Sequence, residues 1–189
     1  YSSDKYIVWS WKANGGTTTT NDASETGVGT IDSVYQANTT AGFSIVTYTG
    51  TGSAGSIAHG LGGVPEVMII KNRDGNHGWS GTYHHKMASD PHTDYLTLNG
   101  TSGVVDDATI WNDTAPTSTV FTVGTASNTG SSDNFVGYFF RGIKGYSKFG
   151  SYTGNNSLNG PYVHLGFRPK IFVVKRADST GWWAVSDST

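Results

Sequence analysis

The sequence predicts an all-β protein: tandem β-sandwich domains of jelly-roll-like type, joined by Gly/Thr-rich linkers, with almost no helix. Three observations predict it. Charged residues make up only 14% of the 189 residues, about half the usual globular share. Gly, Thr, Ser and Asn take their place, a mixture that disfavours helices and suits strands joined by tight turns. No window of about a dozen residues sustains the apolar period of an amphipathic helix. Short apolar or alternating runs recur instead between clusters of Gly, Asn and Asp, as strands of a sandwich do.

Phe43 to Thr49 alternates large and small residues, as a half-buried strand should. Val64 to Asn72 is a continuous apolar run suited to a core strand, with Pro65 at its start, where no ladder donor is required. Gly78 to His84, Tyr95 to Leu98, Thr119 to Val123 and Phe135 to Arg141 read as further strands. Aromatics reach 13% of the chain. They supply much of the apolar area, at roughly 150–250 Å² each when buried.

The chain also repeats itself. Tyr48-Thr49-Gly50 recurs as Tyr152-Thr153-Gly154, and the same offset of 104 carries Leu61-Gly62 onto Leu165-Gly166. It carries Pro65 onto Pro169, Lys71 onto Lys175, Asp74 onto Asp178 and Trp79 onto Trp183, without a gap over 32 positions. Val67 to Ile70 is matched in kind by Ile171 to Val174. A second echo, at an offset of 129, relates the segment from Asp4 to Lys12 to the one from Asp133 to Arg141. A period near 100 residues suits tandem β-domains rather than a solenoid. Residues 1–13 therefore read as the closing strand of a preceding unit, and 14–42 as a Gly/Thr/Asn-rich linker or edge segment. Residues 43–142 form the complete unit, and 143–189 the start of the next.

Several function classes are disfavoured. The formal net charge is -2 and the cations are scattered, which leaves no basic footprint for nucleic acid. No apolar run is long enough to span a bilayer as a helix. Cysteine is absent, which excludes disulfides and thiolate metal sites and allows folding in a reducing cytoplasm. The chain opens on Tyr1 with no signal-like apolar segment, so it reads as part of something longer, made without a signal peptide.

Candidate sites are few. Gly50-Thr51-Gly52-Ser53-Ala54-Gly55 satisfies a G-x-G-x-x-G spacing. A dinucleotide site needs a helix to follow, and here a Gly-rich stretch leads to a strand, so the motif reads as a loop. His84, His85, His92, Asp90 and Asp94 form the densest ligand-capable group. Adjacent His84 and His85 should point to opposite strand faces, and Asp90 to Asp94 reads as a turn. No metal is therefore expected, and His84, His92 and Asp94 are candidates for a loop-borne binding surface. Asp106, Asp107 and Asp113 do not make a convincing hydrolase pair, and no nucleophile elbow is present. Trp79, Trp111, Trp182 and Trp183, with Tyr83 and Tyr95, are candidates for sugar stacking. Trp79 and Trp183 share a repeat position, which favours core packing for that pair. Trp182 and Trp111 remain as binding candidates. Trp9 and Trp11 match Tyr138 and Phe140 and read as core or subunit-interface aromatics.

Four stretches carry a resemblance: Ala41 to Gly50, Tyr95 to Asn99, Ile110 to Ser118, and Gly145 to Gly154. In this order they resemble a module that recurs in tail-fibre-like and structural proteins of marine bacteriophages. The resemblance implies a non-enzymatic, cofactor-free β-sandwich of the virion, most plainly a tail fibre or adhesion appendage presenting host-recognition surfaces. A capsid decoration protein or head fibre, and a carbohydrate-binding module, are the alternatives. Expected partners are further copies of the chain, as a homotrimer, together with other virion proteins and a host glycan or protein receptor. Nucleic acid and membrane insertion are not expected. The protein would be made in the host cytoplasm and reside in the virion.

Overall fold

The structure is a computed structural model that describes residue 8 and residues 10–188. It is nearly all β, with 33% strand and 4% helix. In chain order the elements are β1 (Thr19–Asn21), α1 (Ala23–Thr26), β2 (Ser33–Asn38), β3 (Phe43–Thr49), β4 (Gly55–Ala58), β5 (Val67–Asn72) and β6 (Gly81–His84). They continue as β7 (Asp94–Tyr95), β8 (Val105–Asp106), α2 (Ala108–Trp111), β9 (Val120–Val123), β10 (Asn134–Phe140), β11 (Ile171–Lys175) and β12 (Trp183–Asp187). Among the described residues no helix is long and apolar enough to cross a membrane.

One six-stranded antiparallel sheet organises the domain, in the order β1-β2-β3-β10-β5-β6. β10 lies at its centre, between β3 (Phe135 opposite Tyr48) and β5 (Phe139 opposite Met68). Because side chains alternate along a strand, Val46, Tyr48, Met68, Ile70, Phe135 and Phe139 share the inner face, and all are buried. The pair β4–β9 packs across that face with α2, adding Ile57, Phe121, Val123, Ile110 and Trp111 to the same core. Phe121 contacts both Tyr48 and Phe139, with ring centroids 5.7 and 4.6 Å apart. The outer face carries Ile45, Ile69, Val136 and Tyr138, all half-buried.

The apolar runs located β3, β5, β6, β9 and β10 within a few residues. The expected Tyr95–Leu98 strand contracts to the two residues of β7 plus an isolated bridge from Leu96 to Thr82. The segment 14–42 is structured at the sheet edge: β1 pairs with β2 and β2 with β3, and Ile31 and Ser33 are buried. β4 falls in the Gly-rich stretch that its sequence marks as a loop. It is a strand because β9 pairs with it, a contact more than sixty residues distant in sequence.

The repeat is realised in part. The hairpin β11–β12 is the counterpart of β5–β6, but its register differs. Val67 pairs with His84, and Ile171 with Asp187. The first strand thus carries the offset of 104 and the second an offset of 103. The second hairpin has a loop one residue shorter, and Trp182 rather than Trp183 is the ladder equivalent of Trp79. Residues 147–153, counterpart of β3, form no strand: Tyr152 is 54% exposed where Tyr48 is 5%. The reason is physical. β3 lies between β2 and β10, and among the described residues 147–153 has no such neighbours.

Candidate interaction surface

The surface of the domain is set by which side chains the core consumes. Trp111 is consumed: it is 1% exposed, its Nε1–H donates to Asp94 O at 2.9 Å, and its ring meets Tyr83 edge-on. It has no free face for a sugar, which corrects its place among the binding candidates. Asp107 caps α2, accepting from the Thr109 backbone N–H at 2.9 Å and from its hydroxyl at 2.6 Å. An N-cap of this kind explains an Asp here without catalysis.

Trp182 is the opposite case, with 84% of its surface exposed beside β12. Its neighbour Trp183 packs against the main hydrophobic core and donates from Nε1 to Thr97 O at 2.9 Å. Around it, Gly181 N–H donates to Thr101 O and Val104 N–H to Ala177 O, both at 2.8 Å. The tip of the β11–β12 hairpin is thereby docked onto residues 97–104. Trp79, in the first hairpin, lies under the Lys71 ammonium, 5.8 Å from its ring centroid.

His84 and His85 do not diverge as strand alternation predicts. Their rings are 5.2 Å apart, because β6 ends at His84 and the chain turns there. His84 Nδ1 accepts the Lys86 N–H at 3.1 Å, and burial, assisted by His85, lowers its pKa to about 4. Asp94 is buried, opposite Asp106 in the β7–β8 ladder. Its pKa is raised, first by burial and then by Asp106 and Asp90, with His92 opposing. Asp90 and Thr93 close the expected turn, Thr93 N–H donating to Asp90 O at 3.0 Å. His92 and Asp94 are thus near one another, and His84 packs beside His85. Among the described residues no three metal-capable side chains converge.

The G-x-G-x-x-G stretch runs into β4, not into a helix. Gly50 is required there by close backbone approach: a Cβ would stand 2.0 Å from Ser131 O. The residue that sequence reading missed is His59. It is fully buried, stacked on Phe139, with Nε2 3.2 Å from Thr117 O and Nδ1 accepting the Leu61 N–H at 3.1 Å. The second of these contacts fixes Nε2 as the protonated nitrogen. Burial lowers its pKa to about 4, so it is a neutral core residue.

The surface also carries two open hollows. One, about 430 Å³, is lined by Glu66, Lys144, Lys148, Phe149 and Phe167. The other, about 260 Å³, lies beside Asp32, Thr49, Arg73 and Asn134. A family model matches residues 1–189, and its description is a domain of unknown function (DUF7483). No curated protein and no solved structure matches the chain.

Proposed function

We propose, from its internal repeat and its resemblance to phage modules, that this chain, which belongs over residues 1–189 to the DUF7483 family of unknown function, is a non-enzymatic structural module of a bacteriophage virion. It is a tandem β-sandwich piece of a tail fibre or related adhesion appendage. The observation that carries this reading is the repeat: a packed β-domain followed by a second β5–β6-type hairpin that docks on it through Trp183, Gly181 and Ala177. Serial β-domains with few charges suit a rigid projection that multiplies weak contacts into avidity. The resemblance at residues 41–50, 95–99, 110–118 and 145–154 supplies the virion assignment. In this reading the chain assembles as a homotrimer and holds its loops toward a host glycan or protein.

Antibodies raised against the chain and applied to purified particles test the assignment. Labelling at the tail supports it, labelling at the head identifies a decoration protein or head fibre, and unlabelled particles reject a virion role. A second reading, a carbohydrate-binding module, is favoured by the exposed Trp182 ring. Glycan-array binding that disappears in Trp182→Ala is its expected signature, and binding that persists removes that residue.

A further inference from the structure

We propose that Asp94 and Asp106 bind a hard divalent cation, Ca²⁺, which pins the base of the loop that receives the β11–β12 hairpin. The inference rests on the geometry around β7 and β8 and stands apart from the virion reading.

Asp94 and Asp106 are directly opposed in the β7–β8 ladder. Opposed residues of an antiparallel pair project to the same face, with Cβ atoms about 4.5–5.5 Å apart. Like charges at that spacing weaken the pairing, and each strand of this ladder is only 2 residues long. Solvent relieves the two acids unequally, since Asp106 is exposed and Asp94 is 9% exposed. Among the described residues no hydrogen bond or ion pair reaches the Asp94 carboxylate. The bond made at this residue, from Trp111 Nε1, ends on its backbone oxygen. Burial, then the charges of Asp106 and Asp90, disfavour the ionised form of Asp94, and His92 is the group that opposes them. A carboxylate at this depth is ordinarily paired or hydrogen-bonded. This one faces another acid, an arrangement that a positive charge between the two would satisfy.

The donor set selects the cation. Carboxylate oxygens suit hard ions, and Ca²⁺ accepts an irregular shell of roughly six to eight oxygens in which carbonyls and water take a share. That tolerance matters, because no three metal-capable side chains converge among the described residues. Asp94 and Asp106 are the two side-chain ligands, and Asp90 acts through space by its charge. Mg²⁺ fits less well, since it demands near-octahedral geometry and gives up its water reluctantly. With so few charged ligands, half-saturation falls in the range of weak oxygen sites, about 0.1–1 mM.

Its place in the fold gives the site a consequence. Residues 96–104 leave β7 and return into β8, so the opposed acids stand at the base of that loop. The same loop holds the following hairpin. Thr97 O accepts from Trp183 Nε1, Thr101 O accepts from Gly181 N–H and Lys175 Nζ, and Val104 N–H donates to Ala177 O. The contact is close: a Cβ on Gly103 would lie 2.7 Å from Ala177 O. Drawing the two carboxylates together stiffens the loop from its base, and with it the seat of the hairpin. Cation binding thereby controls how rigidly successive β-elements are joined.

Thermal denaturation of the full chain at pH 7, with Ca²⁺ titrated in after chelator treatment, tests this. The wild-type midpoint is expected to climb by roughly 3–5 °C for each tenfold rise in Ca²⁺ beyond half-saturation. Asp106→Asn, at an exposed position, is expected to fold and to lose the response. Asp94→Asn is expected to lose it too, so that its advantage over the wild type in chelator shrinks as Ca²⁺ is added. Hydrogen exchange at residues 96–104 and in β11 and β12 is expected to slow with Ca²⁺ in the wild type alone. A wild type indifferent to Ca²⁺ overturns the proposal and leaves a shared proton as the way the two acids coexist. A response matched by NaCl of equal ionic strength, or kept in Asp106→Asn, overturns it as well. Binding of Zn²⁺ but not Ca²⁺, abolished by His92→Ala, overturns the assignment to a hard cation. Each of these outcomes leaves the virion reading untouched.

Discussion

His59 is held in the core with both ring nitrogens engaged and its pKa lowered to about 4 by burial. Protonation therefore favours the unfolded chain, where an imidazole titrates near 6.5. Stability that is complete above pH 6.5 should fall as the pH drops toward 4, by up to roughly 3 kcal/mol from this residue, and His84 acts in the same direction. Urea midpoints measured from pH 7 to pH 4 check this, and His59→Ala should lower the unfolding free energy at pH 7 as well, by about 2–4 kcal/mol. Asp94 has the opposite sign. Its raised pKa means that its charge opposes folding at neutral pH. Asp94→Asn should raise the urea midpoint at pH 7, with the gain disappearing below the carboxyl's folded pKa. Neither effect was legible in the sequence. His59 sits in a Gly-rich stretch with no sign of its depth, and Trp111 looks as free as Trp182 until the fold places Asp94 O at its indole nitrogen.

β3 and its turn form the clearest test at the level of elements. The Tyr48 hydroxyl donates to Thr129 O at 2.7 Å in the core. Tyr48→Phe should cost about 1 kcal/mol, since it leaves that carbonyl without a partner. Gly50→Ala should cost about 1–3 kcal/mol, because the obstructing atom is a backbone oxygen rather than a side chain. Thermal denaturation of both variants measures the difference. β3, β5 and β10 were readable because their apolar residues recur at the strand period. β2 and β4 were not: Ser33-Val-Tyr-Gln-Ala-Asn38 and Gly55-Ser-Ile-Ala58 are short and polar, and only distant partners make them strands. The Tyr-Thr-Gly triplet makes the same point. It closes β3 in one copy and lies exposed at residues 152–154 in the other. Local sequence is identical; neighbours decide.

For the whole molecule, the decisive feature is the clasp between residues 97–104 and the β11–β12 hairpin. The repeat was visible in sequence, but the one-residue shortening of the second loop was not, since the gapless offset of 104 carries Trp79 onto Trp183 whereas the ladder carries it onto Trp182. Trp183→Ala should free the hairpin, speeding hydrogen exchange at β11 and β12 while leaving β3, β5 and β10 protected. Thr97 to Val104 touches both hairpins: Leu98 N–H donates to Trp79 O at 2.9 Å, and Val104 N–H to Ala177 O. Residues 151–163, by contrast, are exposed throughout. A stretching load applied along the chain would therefore bypass that slack arc and enter the clasp first. In a pulling experiment the hairpin should release as a small early event, lengthening the tether before the six-stranded sheet yields.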